Sequence, residues 1–121
     1  FRDEGIYKIG CNIKFEERWV RRLLGHGVEG WVWDCMLAAH VLDNRPGITG
    51  LKFQAFVRRG VPDWSVGIDM GKVEGGNDLN SVKLIPVREL MNYNAIDSLM
   101  TYEVAKDQME EMGVLGEFSG I

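Results

Sequence analysis

Apolar residues recur every three or four positions in four stretches of this chain, and this spacing predicts four amphipathic helices. The predicted helices cover residues 13–24, 35–43, 50–59 and 86–112. Two short runs of mostly apolar residues, bounded by glycine or polar residues, predict strands at residues 5–11 and 31–33. The pattern therefore indicates an α/β domain that is rich in helix and has one or two short strands.

The longest predicted helix carries a polar residue in the middle of an apolar stripe. At helical spacing the stripe consists of Leu90, Tyr93, Asp97, Met100 and Val104. Burial of a lone carboxylate is costly unless the group is paired, hydrogen-bonded or bound to a metal. Tyr93 lies one turn before Asp97, so that a phenol and a carboxylate project side by side. The pair predicts either a chemical site or an aspartate that is satisfied internally.

The first predicted helix places a second carboxylate among apolar residues. Glu16 shares its face with Phe15, Trp19, Val20, Leu23 and Leu24. The next residue, Glu17, belongs to the opposite face with the arginines at positions 18, 21 and 22. We therefore expect Glu16 to point towards a core and Glu17 to point towards solvent.

Four other residues could carry chemistry but have simpler structural interpretations. Asp34 precedes a predicted helix and is expected to cap its N-terminus. His40 has no partner at helical spacing and is expected to be a packing or surface residue. Cys11 and Cys35 do not form a metal-binding or disulfide framework, and we expect both to be buried free thiols.

The region from the third helix to the fourth has a regular part and an irregular part. The third helix is expected to pack through Leu51, Phe53, Ala55, Phe56 and Val57. Residues 61–84, which contain several glycines, predict an irregular connection, and connections of this length tend to be functional or mobile. Trp64 and Met70 are expected to anchor it.

Composition limits the classes of protein to which this chain can belong. With 121 residues, 45% of them apolar and 26% charged, the chain is expected to fold as one globular domain. The net charge of −4 argues against a protein whose main task is to neutralise phosphate. No apolar run approaches the roughly 20 residues that a membrane span needs. No signal-peptide pattern is present, so we expect a cytoplasmic protein.

Two carboxylates on different helices, with a tyrosine near one of them, suit metal-assisted hydrolysis. Carboxylate oxygens are preferred ligands of Mg²⁺ and Mn²⁺. Two such ions can activate water and stabilise the leaving oxygen in phosphodiester cleavage. A nearby tyrosine hydroxyl can orient the attacking water.

Several runs of sequence resemble, in order, the 3′–5′ exonuclease domain of family A DNA polymerases. Gly10-Cys11-Asn12-Ile13-Lys14-Phe15-Glu16 is similar to its second exonuclease motif, and Trp33-Asp34-Cys35-Met36-Leu37-Ala38-Ala39-His40-Val41-Leu42 is similar to the segment that follows. Gly50-Leu51-Lys52 and then Tyr93-Asn94-Ala95-Ile96-Asp97 resemble later parts, the last being the motif Tyr-x-x-x-Asp. The resemblance implies that residues 1–121 form the C-terminal two-thirds of a DEDDy-type exonuclease domain with a truncated ribonuclease-H-like fold.

The resemblance also implies a role for each matching residue. Asp97 and Glu16 would be metal ligands in a two-metal site for Mg²⁺ or Mn²⁺, and Tyr93 would position the nucleophilic water. Asn12 and Phe15 would contact the single-stranded 3′ end, and Arg45 would reach a phosphate. The implied partner is a single-stranded DNA 3′ end, with RNA as a possible substrate, in a bacterial or phage-infected cell.

The chain departs from the family pattern in two ways. Glu16 stands where the family has aspartate, and the first motif, Asp-x-Glu on an early strand, has no counterpart in these residues. We therefore expect little nuclease activity from these 121 residues alone. We also expect exposed apolar faces and self-association. The alternatives are an RNA exonuclease similar to ribonuclease D, and a non-catalytic module that binds nucleic acid or protein.

Overall fold

A computed structural model of the chain describes residues 1–66, 85–118 and 120–121. In these residues it contains two short strands, four α-helices and one turn of 3₁₀ helix. In chain order the elements are β1 (Lys8–Gly10), α1 (Ile13–Leu24), β2 (Trp31–Asp34), α2 (Cys35–Leu42), α3 (Leu51–Arg59), α4 (Val87–Glu111) and the 3₁₀ turn Leu115–Glu117. The chain thus has a small α/β fold, as the sequence predicts.

Strands β1 and β2 pair in parallel and form the two-stranded sheet of the described residues. Ile9 lies opposite Trp33 and Gly10 lies opposite Asp34, with an irregularity between Lys8 and Ile9. The intervening helix α1 is the crossover that a parallel pair requires. The first strand is shorter than the predicted 5–11, because residues 4–6 form a turn.

All four predicted helices are present, and each of their ends lies within one residue of the prediction. Helix α4 begins one residue late because Pro86 precedes its first turn, and it is followed by Gly113 with φ of 73°. That left-handed conformation favours glycine. Residues 67–84 of the predicted connection, including Met70, lie outside the described residues.

Asp34 caps two helices at once. Its carboxylate accepts hydrogen bonds from the backbone N–H groups of Met36 (2.9 Å) and Leu37 (3.4 Å) at the start of α2. It also accepts from the backbone N–H groups of Asn12 (3.0 Å) and Ile13 (2.9 Å) at the start of α1. The predicted cap is confirmed, and Asp34 also joins β2 to the start of α1.

Helix α4 supplies most of the core. The buried cluster contains Cys35, Ala55, Met100, Val104, Ala105 and Met109. Gln108 is fully buried among them, but its side chain is satisfied: its amide donates to the Cys35 carbonyl (3.0 Å) and accepts from the Trp33 indole (3.1 Å). This glutamine fixes the position of α4 relative to β2 and α2.

Helix α3 packs on α4 through ion pairs as well as through apolar contacts. Arg59 pairs with Asp107 (2.7 Å) and Glu103 (2.8 Å), and Arg58 pairs with Glu111 (2.8 Å). The predicted packing residues Phe53, Phe56 and Val57 are exposed, so this part of the prediction is wrong. The buried face of α3 passes through Ala55 and Gln54, because the arginine pairs orient that side towards α4.

Helix α1 has no buried residue in the described part of the chain. The apolar face that the sequence predicts is present but exposed at Phe15, Trp19, Leu23 and Leu24. Self-association, which would cover such a face, stays a prediction.

The expectation that Glu17 points to solvent is wrong. Its carboxylate accepts from the Val28 backbone N–H (3.1 Å), the Trp31 indole (3.2 Å) and Arg21 (2.7 Å). These bonds lower the pKa of Glu17, the one from Val28 most strongly. A side chain at position 27 would disturb this arrangement, because a Cβ on Gly27 would lie 2.5 Å from Glu17 Oε1.

His40 is exposed, as expected, and both cysteines are free. Cys35 is buried as predicted, but Cys11 is only half-buried. Of the helices that the structure describes, none combines the length and the apolar character that crossing a bilayer requires.

Candidate functional site

A cleft of about 1070 Å³ lies between the N-terminal segment, α1, the start of α3 and the middle of α4. Glu16 of α1 and Asp97 of α4 both line it, with Cys11 and Lys52. The two carboxylates that the sequence singles out are 81 positions apart, from position 16 to position 97, and the fold brings them to one cavity. Tyr93 is buried and does not line the cleft.

Asp97 is held by an indole. The Trp64 Nε1–H donates to Asp97 Oδ1 at 2.8 Å, and this contact ties residue 64 to the centre of α4. Trp64 thus anchors its segment, as predicted, and it does so through the predicted metal ligand. Because one carboxylate oxygen accepts a hydrogen bond from the indole, the direction of the whole carboxylate is set.

Tyr93 is held by a cation. Lys52 Nζ donates to the Tyr93 hydroxyl at 2.9 Å. The same ammonium lies 5.1 Å from the centre of the Tyr93 ring and 5.5 Å from that of the Trp64 ring. Lys52 therefore connects the tyrosine to the tryptophan that holds Asp97.

Burial of Lys52 acts to lower the pKa of its ammonium. The hydrogen bond to Tyr93 and the negative charges of Asp97 and Asp63 outweigh it, and the net shift of the pKa is upward. Lys52 is therefore a cation at neutral pH.

Glu16 contains the one buried side-chain oxygen of the described residues that has no hydrogen-bond partner, Oε2. Desolvation raises the pKa of this carboxyl, and the negative charge of Asp34 raises it further. Buried polar atoms are usually satisfied, and an orphan in a native structure calls for an explanation such as a bound ion or a catalytic role. Here the orphan belongs to a residue that lines the cleft.

The Cys11 thiol responds to the charges around this end of the cleft. Burial and the negative charges of Asp34, Glu16 and Asp97 raise its pKa to about 11. Cys11 is thus a protonated thiol at neutral pH, which disfavours a role as nucleophile. The same charges make this side of the cleft attractive to cations.

The donor set fits Mg²⁺ or Mn²⁺ in kind, because both ions prefer carboxylate oxygens and Glu16 Oε2 is an unpaired one. In number it is small. Within residues 1–66, 85–118 and 120–121, no group of three or more His, Cys, Asp or Glu side chains could hold a metal ion. The cleft offers the carboxylates of Glu16 and Asp97, and that of Glu4 from the N-terminal segment, among the described residues.

The residues that the resemblance assigns to substrate binding lie outside the lining of the cleft. Asn12 is exposed, with φ of 67°, and its backbone N–H donates to Asp34. Phe15 is 58% exposed and its ring lies 6.3 Å from that of Trp19. Arg45 is bound to Asp43 in an exposed turn. Asn12 and Phe15 flank Glu16 in sequence, whereas Arg45 is engaged elsewhere.

The sequence does not predict that Lys52 belongs to the site, nor that Trp64 donates a hydrogen bond to Asp97. Lys52 lies in the run Gly50-Leu51-Lys52, but nothing in its spacing points to Tyr93, which is 41 positions away. Trp64 lies in a segment without periodicity. Both contacts are made through the tertiary structure.

Comparison with known proteins finds no match to this chain among protein-family models, curated proteins or solved structures.

Proposed function

We propose that this chain is part of a metal-dependent 3′–5′ exonuclease domain that removes nucleotides from a DNA 3′ end, in the manner of a proofreading domain. The proposal includes the ribonuclease-H-like fold, to which the four helices and the parallel strand pair would belong. Its substrate is a single-stranded DNA end, and its cofactor is Mg²⁺ or Mn²⁺.

One observation carries this proposal. Glu16 and Asp97, which resemble metal ligands by motif, line the same cleft, and Glu16 Oε2 has no partner in the described residues. A carboxylate that only stabilised the fold would be expected to have its oxygens satisfied, as those of Asp34 are. An unpaired carboxylate oxygen in the same cleft as a second carboxylate is a feature that a site for a divalent cation requires.

The residues divide the proposed chemistry among them. Glu16 and Asp97 would hold the divalent ion, which supplies activation of water and stabilisation of the leaving oxygen when it is bound. Water would attack the terminal phosphodiester, forming a new P–O bond and breaking the bond to the 3′ oxygen of the preceding nucleotide. The products would be a nucleoside 5′-monophosphate and a shortened strand. Tyr93 does not itself line the cleft, but its hydroxyl accepts a hydrogen bond from Lys52, which does, and from that position it would orient the water.

The decisive experiment uses the full-length protein and measures its binding of a divalent ion and its shortening of single-stranded DNA. Calorimetric titration with Mn²⁺ should show binding that Asp97→Asn weakens by at least about tenfold. Glu110→Gln, an exposed carboxylate on the same helix, is the matched control and should bind Mn²⁺ like the wild type. With Mg²⁺, a 5′-labelled single-stranded DNA should shorten from its 3′ end, and Asp97→Asn should stop the shortening.

Two other outcomes would replace the proposal. If RNA of the same sequence is trimmed much faster than DNA, the domain is an RNA exonuclease of the ribonuclease D kind. If no divalent ion binds in an Asp97-dependent manner, the catalytic interpretation fails, and a non-catalytic binding module becomes the better account.

A further inference from the structure

Among the described residues, Lys52 is the one cationic side chain that lines the cleft, and the other charged side chains there are Glu4, Glu16 and Asp97. A lysine at the surface is normally solvated and free to move. Lys52 differs, because its ammonium is hydrogen-bonded to a buried tyrosine and lies near two aromatic rings. Ordering a lysine side chain costs conformational entropy, so a fixed lysine indicates specific contacts.

Those contacts reach both α4 residues of the proposed site. Lys52 donates to the Tyr93 hydroxyl, and its ammonium lies 5.5 Å from the centre of the ring of Trp64, whose indole donates to Asp97. One cation thus supports the tyrosine directly and the aspartate through a tryptophan. These contacts join three parts of the chain: Lys52 belongs to α3, Trp64 to the segment after α3, and both Tyr93 and Asp97 to α4.

We propose that Lys52 is a positioning residue of this site, which fixes the Tyr93 hydroxyl and, through Trp64, the carboxylate of Asp97. This inference rests on the proposed function, since it assigns Lys52 a part in the same reaction. When the phenol oxygen accepts a hydrogen bond from the ammonium, its own hydrogen remains available for another acceptor. In the proposed reaction that acceptor is the attacking water. The ammonium thereby sets the direction in which Tyr93 can donate.

The opposite charges of Lys52 and Asp97 also give Lys52 an electrostatic role. The charge of Asp97 helps to raise the pKa of Lys52, which means that the ammonium and the carboxylate attract each other. Support of this kind, from residues behind the ligands, typically changes metal affinity or activity by about 10- to 100-fold when it is removed.

The test replaces Lys52 in the full natural chain and separates orientation from stability. Lys52→Met keeps the length of the side chain and removes the ammonium, and we expect the kcat for trimming of single-stranded DNA to fall by about tenfold or more, with KM changed by less than about twofold. Lys52→Arg, which keeps a cation, should recover part of the rate. Lys106→Met is the matched control: Lys106 Nζ also lies over a tyrosine ring, 5.4 Å from that of Tyr102, but Lys106 does not line the cleft.

A second measurement does not depend on activity. Carbon-13 NMR of the lysine Cε signals follows the titration of Lys52, and Tyr93→Phe should lower the pKa of Lys52 because it removes the hydrogen bond that helps to raise it. A Lys52 pKa that is unchanged in Tyr93→Phe would overturn the inference, as would a Lys52→Met variant that trims at the rate of Lys106→Met.

Failure of the inference about Lys52 can be distinguished from failure of the proposed function. If Asp97→Asn abolishes trimming but Lys52→Met does not slow it, the inference about Lys52 fails and the proposed function stands. If the wild type neither trims DNA nor binds a divalent ion, the proposed function fails. The NMR titration then shows by itself whether Lys52 and Tyr93 are joined.

Discussion

The junction at which α1 and α2 begin and the cleft beside it each contain a carboxylate, and the two carboxylates have opposite surroundings. Asp34 accepts four backbone hydrogen bonds, two from each helix. Glu16 has a buried oxygen with no partner in the described residues, and burial raises the pKa of its carboxyl. The fold thus satisfies the carboxylate of Asp34 with hydrogen bonds, whereas it leaves one oxygen of Glu16 buried and unpaired, which is unfavourable.

This difference separates structural carboxylates from chemical ones more sharply than burial alone. Asp34 and Glu16 are both only partly exposed, so that their accessibility does not distinguish them. Their hydrogen bonds do. A carboxylate whose oxygens are used up by backbone N–H groups has little capacity left for a ligand, and one with an unused oxygen in a cleft retains it.

The largest effect is expected from Asp34→Ala, which leaves the first turns of two helices without a cap. Loss of one cap typically costs about 1 kcal/mol, and the N–H groups of both helices would lose their acceptor here. We therefore expect the free energy of unfolding to fall by about 3 kcal/mol. Urea denaturation followed by circular dichroism measures this.

Two variants accompany that measurement. Asp34→Asn retains one oxygen acceptor and should lie between Asp34→Ala and the wild type. Asp43→Ala removes a partly exposed aspartate that bonds to Arg45 within its own turn, and it should cause a much smaller loss. If Asp34→Ala lowers the free energy of unfolding no more than Asp43→Ala does, Asp34 is not the structural carboxylate that the comparison takes it to be.

The neighbours Glu16 and Glu17 provide a second and smaller contrast, because the fold shifts their pKa values in opposite directions. Glu16 has a raised folded pKa, so the wild type loses stability as the pH rises from the unfolded to the folded pKa. Glu17 has a lowered folded pKa, so its contribution is present above the unfolded pKa and is lost as the pH falls towards the folded pKa.

At neutral pH, Glu16→Gln should therefore stabilise the chain by about 0.5 kcal/mol or less, because it removes an unsatisfied charge that solvent partly screens. Glu17→Gln should destabilise it, because it weakens the bonds to Val28, Trp31 and Arg21. Thermal unfolding at neutral and at acidic pH tests both, and each difference from the wild type should shrink in acid. Two variants with the same sign at neutral pH would contradict the comparison.

The sequence predicts well what depends on neighbours along the chain. The helices are visible because their apolar residues recur at the helical period, and Asp34 is recognisable as a cap because it directly precedes a helix. The stripe on α4 is also local, and it contains Tyr93 and Asp97 in the order that the motif describes. These features need no knowledge of what packs against them.

The same reasoning fails where contacts with a distant segment of the chain determine the surroundings of a side chain. Glu17 is on the polar side of α1 by pattern, but Val28 of the following loop and Trp31 of β2 return to it and donate hydrogen bonds. Phe56 and Val57 look like packing residues, but Arg59 of the same helix binds two acidic residues of α4 and orients α3 differently. Lys52 meets Tyr93 only because α3 lies on α4, which a periodic pattern does not specify.

The smallest expected effect uses Cys11 as a probe of the charge in the cleft. The negative charge of Glu16 helps to raise the pKa of Cys11, so Glu16→Gln should lower it and increase the thiolate fraction. Alkylation by iodoacetamide near pH 8 should then be about two- to threefold faster. Cys35 is 1% exposed and serves as the unreactive internal control. An unchanged alkylation rate would mean that Glu16 is neutral or turned away from Cys11, and the cleft would then lack the paired charge that separates it from the Asp34 junction.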